Sequence, residues 1–180
     1  CLHGVEVVSS PLDPLNIFIV GLGGAFLLPL LNRLGRSWPA AALLFALMAM
    51  TMISGVSLWR LAGGEPPIAI LTGGANAPYA INLRIGLLEA LFAFVINVVA
   101  LVGARGFARG AYSAMLLYLL LIIGIQGMVM TRDLFNLFVF LEVVSIATYG
   151  LLSLQDTSAA LAAAFKYLMA TVLASTFFLM

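Results

Sequence analysis

The sequence predicts an all-α, polytopic membrane protein with six transmembrane helices, and three observations predict it. The 180 residues are 64% hydrophobic and only 8% charged, with a mean hydropathy of +1.19, which is too apolar for a soluble domain. Apolar runs of about 20 residues, the length that crosses a hydrocarbon core of roughly 30 Å, recur along the whole chain. Every arginine falls at the end of such a run or between two of them, whereas the single lysine, Lys166, falls inside one.

The first run spans residues 15–34, with Asn16 at its mouth, Gly21, Gly23 and Gly24 for close helix approach, and Pro29 as a kink. The second, 39–60, opens at Pro39, and Trp38 and Trp59 stand where interfacial anchors belong. Between Gly63 and Leu83 runs the one long connection. Its glycines and prolines break a helix, and Ile68-Ala-Ile-Leu suits a strand of a surface hairpin. The third run, 84–103, carries Glu89 near one end and Asn97 near the middle, and the fourth, 111–130, carries Gln126. Asp133 opens the fifth, 133–154, as a helix cap. Thr157 or Ser158 caps the sixth, 158–180.

Composition excludes several classes of function. A net charge of +1 argues against nucleic acid, and one cysteine, Cys1, and one histidine, His3, leave no multi-thiolate or histidine metal site and no hydrolytic constellation. No cofactor is expected in this chain. The first dozen residues carry Glu6 and Asp13 and lack a basic leader region, so they do not read as a signal peptide. The chain starts with Cys and stops at Met180 inside an apolar run, as a segment of a longer protein would. Arg33, Arg36, Arg105 and Arg109 fall on one side of the membrane and Arg60, Arg84 and Arg132 on the other. That bias places the N-terminus outside.

Glu142 and Lys166 are the candidate site for proton or ion translocation. Counted back from the Gln155-Asp156 turn at 1.5 Å per residue, they lie roughly 20 and 15 Å deep on adjacent antiparallel helices. A charge at such depth costs on the order of 3 kcal/mol. Lysine, unlike arginine, readily gives up its proton when desolvated, so a site that switches charge would use it. Ser145 and Tyr149 follow Glu142 at i+3 and i+7 and extend it into one polar stripe. Asn97 and Gln126, single amides in apolar helices, are expected as supporting polar groups, with hydrogen bonding between helices as their more usual role. The expected geometry has Glu142 and Lys166 facing each other or sharing an interior pocket, neither facing lipid. Two rival readings are a stand-alone secondary transporter of an organic solute and a structural membrane subunit in which the pair is silent.

From Asp133-Leu-Phe-Asn-Leu-Phe to Glu142 and Tyr149, followed by Ala163-Ala-Phe-Lys166-Tyr167, the sequence resembles the antiporter-like subunits shared by respiratory complex I, Mrp-type sodium/proton antiporters and group 4 membrane-bound hydrogenases. The resemblance implies that residues 1–180 form the N-terminal part of a bundle of about fourteen helices built from inverted repeats. It also implies that Glu142 is the family's ion-pair glutamate and Lys166 its sixth-helix lysine. The implied partners are the lipid bilayer, other membrane subunits and protons, with sodium as the alternative ion, in a prokaryotic cell membrane. Leu141, where an aromatic is common, and the opening Leu83-Arg-Ile-Gly-Leu-Leu-Glu89 depart from the complex I pattern and set the chain nearer the Mrp and hydrogenase branches.

Overall fold

A computed structural model describes residues 15–35, 37–72, 81–155 and 157–180. Cys1, His3, Glu6, Asp13, Arg36 and Asp156, all used above, lie outside the described residues. Six helices and one hairpin follow in the order α1 (Asn16–Asn32), α2 (Trp38–Ala62), β1 (Ile68–Thr72), β2 (Ile81–Ile85), α3 (Leu87–Phe107), α4 (Tyr112–Met130), α5 (Leu134–Ser153) and α6 (Ser158–Leu179). Five of the helices, α2 to α6, are long and apolar enough to cross a membrane. The first is equally apolar but only 17 residues long, shorter than the 20-residue run expected there.

Local chemistry accounts for the boundaries. Pro39 sits in the first turn of α2, where its missing N–H is no loss. That helix stops at Gly63, and Gly64 turns the chain at φ +93°, a conformation open mainly to glycine. The third helix starts later than expected, because Arg84 and Ile85 belong to β2, which pairs antiparallel with β1 from Ile68↔Ile85 to Thr72↔Ile81. The Glu89 carboxylate then closes the helix start by accepting from Gly86 N at 2.9 Å. Asp133 caps α5 by accepting from Phe135 N at 3.1 Å, and Thr157 caps α6 by accepting from Ala160 N at 3.1 Å, both as the sequence indicates. Asp133→Ala is expected to remove about 1 kcal/mol of stability and Asp133→Asn much less. The thermal midpoints of the two variants check this.

The helices sort into two ends. Asn32 and Pro39 of the α1–α2 turn line one cleft with Arg109, Gly110 and Tyr112 of the α3–α4 turn. At the opposite end Leu83 of β2 bridges to Thr131 in the α4–α5 turn, and Arg132 forms an ion pair with Glu89. Trp38 and Trp59, 54% and 83% exposed, stand one at each end and point outward, as interfacial anchors do.

The core is assembled around α4, which packs against α1, α2, α3 and α5. Small residues permit the approach. A Cβ on Gly21 of α1 would meet Ile123 of α4 at 2.7 Å, and one on Gly24 would meet Ala46 of α2 at 3.0 Å. Gly23, expected to serve the same purpose, instead has open space around it and lines an apolar groove between α1 and α2.

Candidate functional site

The orientation of α5 follows from how it meets α4. Gly124 and Gly127 leave two notches on α4. A Cβ on Gly124 would lie 2.6 Å from Val144 Cγ2, and one on Gly127 would overlap the Phe140 ring. Phe140 and Val144 are therefore the contact face of α5. At 100° per residue, Glu142 lies about 200° round the helix from Phe140, on the side away from α4.

Glu142 is half-buried there, with the exposed Val139 and Ile146 about 40–60° to one side of it on the helical wheel and the buried Ser145 about 60° to the other. Ser145 is buried, and its hydroxyl donates to Leu141 O at 2.9 Å, within its own helix. That bond leaves the Ser145 oxygen lone pairs, not its proton, for any neighbour. Tyr149 is half-buried on the same stripe. Among the described residues, Glu142 and Tyr149 have no hydrogen-bond or ion-pair partner.

Lys166 is not where the interior pair requires it. The face of α6 turned toward the bundle runs along Ala164, Tyr167, Leu168, Thr171 and Ser175, with Ala164 0% and Ser175 3% exposed. Lys166 lies about 200° from Ala164. It is exposed, next to the exposed Phe165 and Met169. The expected geometry, in which Glu142 and Lys166 face each other or share an interior pocket, is therefore not formed by the described residues. The reason is steric: α6 turns its small side chains Ala164 and Ser175 inward, and the ammonium goes with the opposite face.

Asn97 and Gln126 are both fully buried. Asn97 Nδ2 donates to Met50 O and to Ser54 Oγ, each at 3.1 Å, tying α3 to α2. Gln126 Nε2 donates to Ala93 O at 3.0 Å, tying α4 to α3. Both thus make the interhelical bonds expected of amides in apolar helices. Ser54, at 0% exposure, and Asn136, which donates to Thr131 Oγ1 at 3.1 Å, are polar partners that sequence reasoning did not single out. A serine inside an apolar run carries no signal of its own, because it can return its proton to its own helix. In the sequence, the pair of glycines in Gly124-Ile-Gln-Gly127 is the signal for this close packing. No three His, Cys, Asp or Glu side chains cluster as metal ligands would among the described residues.

No family model matches the chain. Among curated proteins it is 34% identical over 131 residues to the "Putative antiporter subunit mnhD2" of Staphylococcus epidermidis, covering 69% of this chain and 26% of that protein. It is 30% identical over 139 residues to the protein of the same name from Staphylococcus aureus, covering 74% of this chain and 28% of that protein. Among solved structures, the membrane-bound sulfane sulfur reductase, an archaeal respiratory membrane complex, contains a chain 33% identical that superimposes with a TM-score of 0.86 over 93% of this chain and 36% of its own. The chain is homologous to antiporter-like membrane subunits. A chain of the Mrp complex from Dietzia sp. DQ12-45-1b (24% identity, TM-score 0.79, 95% of this chain and 33% of that one) shares the fold. So does a chain of respiratory complex I from Thermus thermophilus (23%, 0.70, 91% and 34%). This homologue spans about a quarter of the length of the curated relatives it matches.

Proposed function

We propose that the chain acts in proton translocation, with exchange for sodium as the alternative, as part of a membrane subunit in a multisubunit prokaryotic complex. The observation that carries this reading is Glu142: a carboxylate near the middle of α5, half-buried and without a partner among the described residues, in a homologue of antiporter-like subunits. A group that exchanges protons must be desolvated enough to change charge and open enough to meet a donor, and a glutamate locked in an ion pair satisfies only the first condition.

In this reading all six helices cross the membrane, with α1 using its flanking turn residues to complete the span, and the N-terminus lies outside. Lys166 is the second ionisable group of the path. A charged lysine facing lipid at that depth costs on the order of 3 kcal/mol. We therefore place polar groups from helices outside these 180 residues against the outer face of α6, within a bundle of about fourteen helices. Ser145 and Tyr149 border the route at Glu142, and no cofactor takes part within this chain.

The test is transport by the assembled complex in sealed vesicles, with lumen pH followed by a dye while a sodium gradient or the complex's own driving reaction is applied. Proton movement that collapses with an uncoupler supports the proposal. An intact complex that moves no protons under either drive overturns it.

A further inference from the structure

Asn97 and Gln126 each keep one buried atom without a partner among the described residues, the side-chain oxygens Oδ1 and Oε1. Flipping the amides does not relieve this. Asn97 Nδ2 meets Met50 O and Gln126 Nε2 meets Ala93 O, and a carbonyl can only accept, so each amide is forced to turn its nitrogen to the backbone and its oxygen away. The two amides are anchored near each other on α3. Gln126 is anchored at Ala93, one helical turn from Asn97, a rise of about 6 Å along α3. The neighbouring backbone carbonyls are taken: Ala93 O receives both the helical N–H of α3 and the Gln126 amide.

We infer that Asn97 Oδ1 and Gln126 Oε1 bind one ordered water molecule where α2, α3 and α4 meet. The chemistry points to water over a metal cation. Both free groups are neutral acceptors, which suit a ligand with two O–H donors, whereas sodium or calcium takes five or more oxygens and, away from bulk solvent, a compensating negative charge. Glu89, the acidic residue of α3, is held by Arg132 at the hairpin end of the bundle, and Glu142 faces away from α4. Leaving two buried amide oxygens unpaired would cost about 1–3 kcal/mol each, and a single water relieves both. By residue count Gln126 lies about 6 Å and Asn97 about 15 Å from the hairpin end of its helix, so the water lies between those depths, on the other side of α4 from Glu142.

The experiment is a density map of the intact complex at a resolution that shows individual waters, with no substitution required. One peak within about 3.2 Å of both Asn97 Oδ1 and Gln126 Oε1 is the expected result. Its disappearance in a map of the Gln126→Leu complex assigns it to this pair. Three results overturn the inference: no density beside either oxygen, separate protein donors reaching the two oxygens, or a peak with five or more oxygen neighbours at about 2.4 Å, which would be a cation.

Discussion

Glu142→Gln in the assembled complex is expected to lower proton transport in sealed vesicles by at least about tenfold, while the complex still assembles and runs at its parental thermal midpoint. The substitution keeps the shape and polarity of the side chain and removes only its ability to ionise. Because Glu142 has no ion-pair or hydrogen-bond partner among the described residues, the amide breaks no contact and exposes no stranded charge. A structural glutamate would behave in the opposite way, with unchanged transport or a destabilised complex. Transport within twofold of the parent would place the proton path elsewhere. Ser145→Ala is the matched control. Its hydroxyl bonds to its own helix, so the loss should stay small unless the serine oxygen also receives a proton donor on the route.

Gly127→Leu is expected to prevent normal packing of α5 on α4. Even a single Cβ at position 127 would overlap the Phe140 ring, and Gly124 one turn earlier is closed off by Val144. Gly127→Ala alone should cost about 1–3 kcal/mol, a drop on the order of 5 °C in thermal midpoint. The leucine should leave little folded complex on size-exclusion chromatography. Gly127→Ala combined with Phe140→Leu should recover part of the loss, since the smaller side chain vacates the space the methyl enters. A Gly127→Leu complex that elutes and melts like the parent would mean that α4 and α5 do not meet at this surface. The variant matters for function as well, because the Phe140 and Val144 contact sets the direction in which Glu142 points.

Depth in the membrane was readable from residue order, and rotation about each helix axis was not. The positions of Glu142 and Lys166 along α5 and α6, and the caps at Asp133 and Thr157, follow from counting apolar residues and recognising which side chains stop a helix. The face carrying Lys166 does not, because the opposing signal in α6, the stripe of Tyr167, Thr171 and Ser175, is weakly polar and its Thr and Ser hydroxyls bond to their own helix. The signal was size: Ala164 and Ser175, eleven residues apart, share one face, and small residues choose the contact. The start of α3 differs from the expected Arg84 for another reason. Leu83-Arg84-Ile85 is as apolar as a helix start; Ile68-Ala-Ile-Leu is legible as one strand of a hairpin, but which residues pair with it is set by the register and not by any local pattern. Asn97 and Gln126 were legible as bridges, but the carbonyls and the serine they reach were not, since every residue offers a carbonyl.

The central place of α4 sets an order of events during synthesis. As the chain emerges, α1 can meet α2, and α2 can meet α3, each pair being sequence neighbours in contact. The notch at Gly21 receives Ile123, and the amide of Gln126 receives its acceptor at Ala93, only after α4 arrives roughly a hundred residues behind α1. Until then α1 has α2 on one flank and its Gly21 notch unfilled on the other. A ribosome stalled just before α4 should therefore yield a nascent chain whose first helix is open to crosslinking, and one stalled after it a chain in which that helix is shielded.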